Sequence, residues 1–160
     1  MGETVIQVSS LGKRIKGKTI LEDISFEINQ GDCVALIGPN GAGKTVLMSC
    51  ILGDKKPSRG QVLIDGKAGK AKNKIAVLLQ ENTIPNSLKV EELIAFFQSI
   101  SDNPLTNQEV QDLLQFKEDQ YQQFADKLSG GQRRLLAFVL CLIDKPKILF
   151  LDEPTAGMDT

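Results

Sequence analysis

The sequence has no histidine, no tryptophan and a single tyrosine among its 160 residues. Histidine is the commonest metal ligand and the usual general base near neutral pH, so a histidine-dependent metal or catalytic site is excluded. Cysteine is scarce as well: Cys33, Cys50 and Cys141 are scattered, odd in number and set in apolar surroundings. This usage predicts reduced core residues of a cytosolic protein rather than a disulfide framework.

Long apolar runs and a surplus of either charge are also missing. The longest apolar run is Leu135–Ile143, whereas a helix that crosses a bilayer needs about 20 such residues. The N-terminus lacks the basic start and apolar stretch of a secretory signal, so we expect any link to a membrane to go through another chain. With 19 basic and 20 acidic residues, nucleic acid is not expected as the main partner.

What is present begins with strand patterns. In Ile20–Ile28 apolar and polar residues alternate, which predicts a strand with one solvated face. Val5–Val8, Gln61–Ile64 and Ile75–Leu79 are further predicted strands. Cys33–Ile37 is an unbroken apolar run, which predicts a parallel strand covered on both faces.

Helical patterns dominate the second half of the chain. A first helix is predicted from about residue 44 to 52, with Gly53 where a helix stop belongs. Between residues 85 and 144 apolar residues recur at spacings of three and four, and one helix is expected to run from Ser129 to about Ile143. Ile148–Leu151 then returns as a predicted buried strand. This order predicts a mostly parallel core sheet with a helical lobe inserted between two of its strands.

The first motif follows the predicted strand at residue 37 and fits the pattern G-x-x-x-x-G-K-T. It consists of Gly38, Pro39, Asn40, Gly41, Ala42, Gly43, Lys44 and Thr45. Glycines let the chain turn tightly enough for several backbone amides to converge on one anion, and the following helix directs its positive N-terminus there. Lys44 adds a charge toward the outer phosphates, and the Thr45 hydroxyl can bind Mg²⁺. A chance glycine turn is the alternative, but the strand before it and the helix after it favour phosphate binding.

The second motif is a pair of carboxylates, Asp152 and Glu153, directly after the predicted strand Ile148–Leu151. Burying such charges is costly without a partner. If this strand lies beside the one that precedes the glycine loop, Asp152 can hold Mg²⁺ near Thr45 and Glu153 can accept a proton from an attacking water. The alternative is a strand end that reaches solvent.

The third motif, Leu128-Ser129-Gly130-Gly131-Gln132, precedes a predicted helix. Ser-x-x-Gln alone predicts a capping box, in which Ser129 accepts from the Gln132 amide and Gln132 reaches back. The two glycines are not needed for capping and weaken a helix by up to about 1 kcal/mol each. Bare amides, a hydroxyl and a helix N-terminus therefore predict a second anion site.

These motifs, taken together, resemble those of the ATP-binding cassette (ABC) family. Gly38–Thr45 resembles its Walker A motif, Gln80 its Q-loop, Leu128–Gln132 its signature, Ile148–Glu153 its Walker B motif and Asp159 its D-loop aspartate. The resemblance implies an α/β fold: a P-loop NTPase core with a mostly parallel sheet, an N-terminal antiparallel β subdomain and an inserted α-helical subdomain.

The resemblance also implies how the chain is divided. Residues 1–160 would be a single ABC ATPase domain that is incomplete at its C-terminus. Within it, residues 1–84 and 145–160 would form the β and P-loop core, and residues 85–144 the helical subdomain with the signature.

Partners and cofactors follow from the same resemblance. Two subunits would form a head-to-tail dimer with ATP and Mg²⁺ between them, each nucleotide lying on one P-loop and on the other subunit's signature. The residues that reach the partner's nucleotide would be Ser129, Gly130, Gly131, Gln132 and Asp159, and Gln80 would touch Mg²⁺. As an alternative, Gln80 is only the polar residue after a strand. A membrane-spanning partner would dock near Gln80 and residues 81–100.

Three features depart from the family pattern. Ile15 stands where an aromatic residue usually stacks on adenine, so burial without ring stacking is expected. Val46 replaces a second hydroxyl after the P-loop, so one bond to the α-phosphate is expected to be missing. The chain also ends at Thr160, before the family's switch histidine. ATP hydrolysis is therefore expected of the full-length protein rather than of this segment.

The leading interpretation is the ATPase subunit of a transporter, cytoplasmic and held at the inner face of the cell membrane by its partner. The stretch Thr155–Asp159 resembles exporter subunits, which favours export. The alternatives are a soluble ABC ATPase, such as a translation factor or a repair or chromosome ATPase, and a non-hydrolysing ATP switch. The short distance from Walker A to the signature argues against a chromosome or repair ATPase, and Glu153 argues against the switch.

Overall fold

The computed structural model describes residues 2–68, 75–79 and 84–152. They fall into two compact units, which divide the chain into residues 1–72 and 73–160.

The first unit is built on an antiparallel sheet. Its strands are β1 (Thr4–Ile15), β2 (Lys18–Asn29), β3 (Arg59–Ile64) and β4 (Lys67–Ala68), in the spatial order β2-β1-β3-β4. The pattern at Ile20–Ile28 thus predicted β2 correctly, although β2 begins two residues earlier. The two residues between β1 and β2 both have positive φ, as the tight turns of hairpins require.

One helix, α1 (Lys44–Ile51), accompanies this sheet. The buried apolar side chains of the unit come from both kinds of element: Ile6, Val8, Leu11, Leu21 and Ile64 from the strands, and Leu47, Cys50 and Ile51 from α1. Gly53 has a φ of 79° just beyond the helix, which confirms it as the predicted stop.

The strand predicted at Cys33–Ile37 is wrong. These residues form no strand, and their side chains are exposed, Ile37 to 90%. An apolar run becomes a strand only where a neighbouring strand accepts its backbone hydrogen bonds, and Cys33–Ile37 pairs with no strand in the part of the chain that the structure describes. The prediction that Cys33 is a core residue is wrong for the same reason, whereas Cys50 is buried and Cys141 partly so.

This difference between the cysteines can be measured. At neutral pH we expect a maleimide to modify Cys33 at least about tenfold faster than Cys50, because the thiolate is the reacting species and must be accessible. Burial raises the pKa of the Cys50 thiol, and the charges of Lys13 and Lys55 offset only part of this effect. Mass spectrometry of peptides from a labelling time course gives the two rates. Equal protection of both thiols would instead support the buried strand.

The second unit is a helical bundle inserted between two parallel strands. β5 (Ile75–Leu78) pairs with β6 (Ile148–Leu151) in register from Ile75 opposite Ile148 to Leu78 opposite Leu151. Between them lie α2 (Val90–Ser99), α3 (Asn107–Leu114), α4 (Glu118–Tyr121), a single 3₁₀ turn (Ala125–Lys127) and α5 (Gly130–Leu142). The predicted helical lobe between two strands of a parallel sheet is therefore confirmed.

The core of this unit is mainly helical. Its largest fully buried side chains are Leu78, Leu93, Leu136, Ile143, Val90, Val110 and Val139. β6 is only partly buried, and Leu151 at its end is 40% exposed, so the predicted burial of this strand is only partly correct. Over residues 2–68, 75–79 and 84–152, none of the helices is long and apolar enough to cross a bilayer.

Candidate functional site

The glycine loop of the first unit is held at its exit by close packing on β2. Gly43 has a φ of 92°, a conformation that side chains rarely adopt. A Cβ placed on Gly43 would lie 2.9 Å from Leu21 Cδ2 and 3.3 Å from the Ile20 carbonyl oxygen. Earlier in the loop, the Ala42 amide donates to the Pro39 carbonyl at 3.2 Å and closes a turn. The positive φ therefore favours glycine at position 43, and the tight space beside Ile20 and Leu21 adds to this preference.

The Lys44 side chain lies over this loop. Its ammonium group donates to the Gly38 carbonyl at 2.7 Å and to the Pro39 carbonyl at 3.0 Å. The residue is half-buried, so its charge is held at the loop rather than extended into solvent. A cation in this position attracts an anion that approaches the loop.

The start of α1 offers hydrogen-bond donors beside that cation. The amides of Lys44, Thr45 and Val46 belong to the first turn, where a helix has no acceptors of its own. Gly43, the residue before the helix, has no capping side chain, and the first turn holds no acidic residue. Within the described residues the loop thus fits a polyphosphate: three amides, one ammonium group and a helix N-terminus. The exposed Thr45 hydroxyl adds an oxygen ligand for Mg²⁺.

Ile15 and Val46 are the two positions that depart from the family pattern within this unit. Ile15 is the last residue of β1, half-buried and opposite Lys18. Two residues further along β2, Ile20 lies against Gly43, so the end of the hairpin and the exit of the glycine loop are neighbours. Val46 is half-buried in the first turn of α1.

The signature motif begins α5 in the second unit. Ser129 Oγ accepts from the Gln132 amide at 3.3 Å, and Gln132 Oε1 accepts from the Ser129 amide at 2.9 Å. The predicted capping box is therefore confirmed. It occupies both polar side chains of the motif and leaves the Gly130 side of the turn exposed.

Nothing in the second unit requires glycine at position 131. Its φ lies outside the left-handed region, and a Cβ built on it would find nothing within 4 Å. Alanine would fit there and would favour the helix. Gly131 is partly exposed, and neither its backbone conformation nor its packing within this unit requires glycine there.

Asp152, the first residue of the acidic motif, directly follows the strand β6. The Asp152 amide donates to the Leu78 carbonyl at 2.8 Å, so the pairing with β5 extends one residue beyond β6. No group of three or more histidine, cysteine or acidic side chains suited to a metal occurs in the ranges 2–68, 75–79 and 84–152. A magnesium site shared by Asp152 and Thr45 remains a prediction, as the two residues belong to different units.

Three predicted site residues, Gln80, Glu153 and Asp159, lie outside the described residues. One residue that sequence reasoning missed is Arg134, whose side chain is buried with 6% exposure. A signal for it exists in the sequence: Arg134 shares a face of α5 with Ala137 and Cys141, at spacings of three and four. An arginine at an apolar position of a helix calls for buried acceptors.

Comparison with known proteins agrees with this geometry. The profile of the family described as "ABC transporter" matches residues 21–156. The methionine import ATP-binding protein MetN of Legionella pneumophila (strain Paris) is 35% identical over 168 residues, covering 97% of this chain and 49% of MetN. The cholesterol transporter ABCA5 of Mus musculus is 36% identical over 178 residues, covering 99% of this chain and 11% of ABCA5.

Among solved structures, cbiO1 from Clostridium perfringens, part of the ABC transporter complex cbiONQ, superimposes with a TM-score of 0.82 at 27% identity. The match covers 98% of this chain and 68% of cbiO1. The chain therefore belongs to the ABC transporter family and has the α/β fold of its ATP-binding domains. The chain spans about half the length of MetN, at 49%, and a much smaller share of ABCA5, at 11%.

Proposed function

We propose that this protein binds Mg-ATP and hydrolyses it as the ATPase subunit of a membrane transporter. The observation that carries the proposal is the geometry of the glycine loop where it ends at Gly43. There the Lys44 ammonium group lies over the loop, and the first turn of α1 offers amides without a side-chain cap. Such an arrangement recognises a polyphosphate rather than a neutral ligand.

Each residue of the site has a proposed role. The residues that would hold the nucleotide are Ile15, Gly38, Pro39, Asn40, Gly41, Ala42, Gly43, Lys44, Thr45 and Val46. Thr45, Gln80 and Asp152 would hold Mg²⁺, which neutralises phosphate charge when bound. Glu153 would be the general base that accepts a proton from the attacking water.

We further propose that two subunits complete each other's sites. One chain carries two helix N-termini suited to an anion. The glycine loop precedes one of them in the first unit, and the signature precedes the other in the second unit. The empty space beside the Gly131 backbone supports the approach of a second nucleotide-bearing chain. The residues that would reach the partner's nucleotide are Ser129, Gly130, Gly131, Gln132 and Asp159. Bound ATP would then favour association because it completes the interface.

The membrane-spanning partner and the site of action rest on the relatives. MetN is named for import, and cbiO1 is described as part of a transporter complex. We therefore propose a subunit at the inner face of the cell membrane, attached through a spanning partner, with residues 1–160 forming one ATPase domain. Export is our proposal for the direction, on the resemblance of Thr155–Asp159 to exporter subunits. The soluble ATPases considered above are not favoured, since the relatives named here are transport proteins.

A Gly131→Ala variant of the full-length polypeptide tests this proposal. We expect the variant to bind ATP as the wild type does, because the glycine loop is unchanged. ATP-dependent association and turnover should fall by about tenfold or more, since a methyl group forced into a close contact costs about 1–3 kcal/mol. The free energy of unfolding should rise by up to about 1 kcal/mol, since alanine favours the helix. Titration of ATP, sedimentation with and without ATP, and chemical denaturation measure the three quantities.

The matched control is Gln115→Gly. Gln115 has a left-handed backbone conformation (φ 51°) at the end of α3, and glycine relieves the strain of that conformation. It should stabilise the same unit without any effect on association. If wild-type protein binds no ATP, the proposed function is wrong. If Gly131→Ala associates as the wild type does, the signature does not contact a second subunit's nucleotide.

A further inference from the structure

The guanidinium group of Arg134 is buried at the end of the two parallel strands. Nη1 donates to the Leu79 carbonyl at 2.7 Å, and Nη2 donates to the Asp152 carbonyl at 3.2 Å. A buried charge is costly unless several acceptors surround it. The position of this side chain is therefore determined by the two carbonyls as much as by its helix.

Both acceptors directly follow strands. Leu79 comes after β5 and Asp152 after β6, so the guanidinium group spans the edge where the carboxyl ends of the parallel pair lie. In α/β sheets, ligands bind outside this edge. The Asp152 backbone thus makes two hydrogen bonds: its amide donates to the Leu78 carbonyl at 2.8 Å, and its carbonyl accepts from Arg134.

Arg134 itself starts from the signature helix. α5 begins at Gly130, directly after the capping residue Ser129, and Arg134 lies about one helical turn after Gly130. The neighbouring Arg133 faces elsewhere, since its guanidinium donates to Asn86 Oδ1 at 2.9 Å. Of these two adjacent arginines, Arg134 alone contacts the Asp152 carbonyl.

We infer that Arg134 is a positioning residue that couples the signature turn to the magnesium-binding carboxylate of Asp152. A shift of the first turn of α5 moves Arg134. Because the planar guanidinium group is bonded to both carbonyls, this shift is transmitted to the backbone of Asp152 and Leu79. A nucleotide that contacts Ser129 or Gly131 from the partner subunit thereby acts on the magnesium site of this chain. This inference rests on the proposed function.

The ability of one guanidinium group to bond two carbonyls at once provides a test of this coupling. Lysine keeps the charge of Arg134 but is a single point donor that cannot bridge two carbonyls in a plane. The variants are Arg134→Lys and, as the matched control, Arg133→Lys, both made in the full-length polypeptide. For each we would measure ATP affinity in EDTA, ATP affinity in Mg²⁺, and the kcat and KM of hydrolysis.

For Arg134→Lys we expect ATP affinity in EDTA to stay within about twofold of wild type, because the glycine loop is intact. The gain in affinity on adding Mg²⁺, and kcat, should each fall by about tenfold, the lower end of the effect of losing an outer-shell partner of a metal ligand, because Arg134 holds the Asp152 backbone rather than its carboxylate. Arg133→Lys should match the wild type in all of these measurements. A purely structural role of Arg134 would instead lower the thermal midpoint and weaken ATP binding equally with and without Mg²⁺.

A measurement on the wild type covers the case in which Arg134→Lys does not fold. Hydrogen exchange is compared with ATP in EDTA and with ATP in Mg²⁺, and the Asp152 amide and the first turn of α5 should gain protection together. Protection of Asp152 alone, or a wild-type response to Mg²⁺ in Arg134→Lys, would overturn the coupling. Absence of any ATP binding by the wild type would instead overturn the proposed function, and this inference with it.

Discussion

Replacing Glu153 with glutamine is expected to lower ATP turnover by about 10²- to 10⁴-fold, the usual contribution of a positioned general base. Glutamine has nearly the shape of glutamate, but its amide cannot accept a proton from the attacking water. ATP should therefore stay bound, and the ATP-dependent dimer should persist because the γ-phosphate is not removed. Glu153 lies outside the described residues, so the variant also tests a role that rests on the family resemblance.

The measurements are phosphate release and sedimentation in the presence of Mg-ATP. Glu118→Gln is the matched control, because Glu118 is an exposed acidic residue on α4, away from the three motifs. Its turnover should equal that of the wild type. A Glu153→Gln protein that remains monomeric in saturating ATP would contradict the shared-site dimer, and one with normal turnover would exclude Glu153 as the base.

Replacing Lys44 with alanine should weaken ATP binding by about 100-fold. Two hydrogen bonds from an ammonium group to phosphate oxygens, at about 1.5 kcal/mol each, correspond to this factor. In the structure the ammonium group already lies over the loop, 2.7 Å from the Gly38 carbonyl, so little reorganisation is needed to reach a bound anion. The fold should survive, since Lys44 is only half-buried and its neighbour Gly43 fixes the loop.

Isothermal titration with ATP gives the affinity, and circular dichroism shows whether the fold is intact. Lys55→Ala is the control, because Lys55 is an exposed lysine just beyond α1 in the same unit. It should leave the affinity unchanged. An unaltered ATP affinity in a folded Lys44→Ala protein would refute the assignment of the glycine loop as the phosphate site.

Local patterns predicted the elements whose stability is itself local. The alternation along Ile20–Ile28 corresponds to one side of β2 being better covered than the other. The spacing of the capping box at Ser129 reappears as two reciprocal hydrogen bonds. The two capping groups are neighbours in sequence, so residue order alone specifies their geometry, whereas the alternation in β2 predicts the strand and its covered side but not what covers it.

The errors concern partners that are distant in sequence. Cys33–Ile37 has the composition of a buried strand, yet it pairs with no strand in the ranges that the structure describes. Composition shows that a segment can be covered but does not identify what covers it. The burial of Arg134 was missed for the same reason, because its carbonyl partners lie 55 and 18 residues away along the chain.

By itself, the sequence determined the family, the order of its motifs and the kind of ligand they suit, because glycines, a lysine and paired carboxylates at fixed spacing have few other uses. Only the tertiary structure decided which helix contacts which strand end. It placed the buried guanidinium group of Arg134 against the Asp152 backbone, and it left the space beside Gly131 empty within its own unit. The physical reason is that amide direction and turn geometry are local properties, whereas burial and the pairing of distant groups depend on how the whole unit packs.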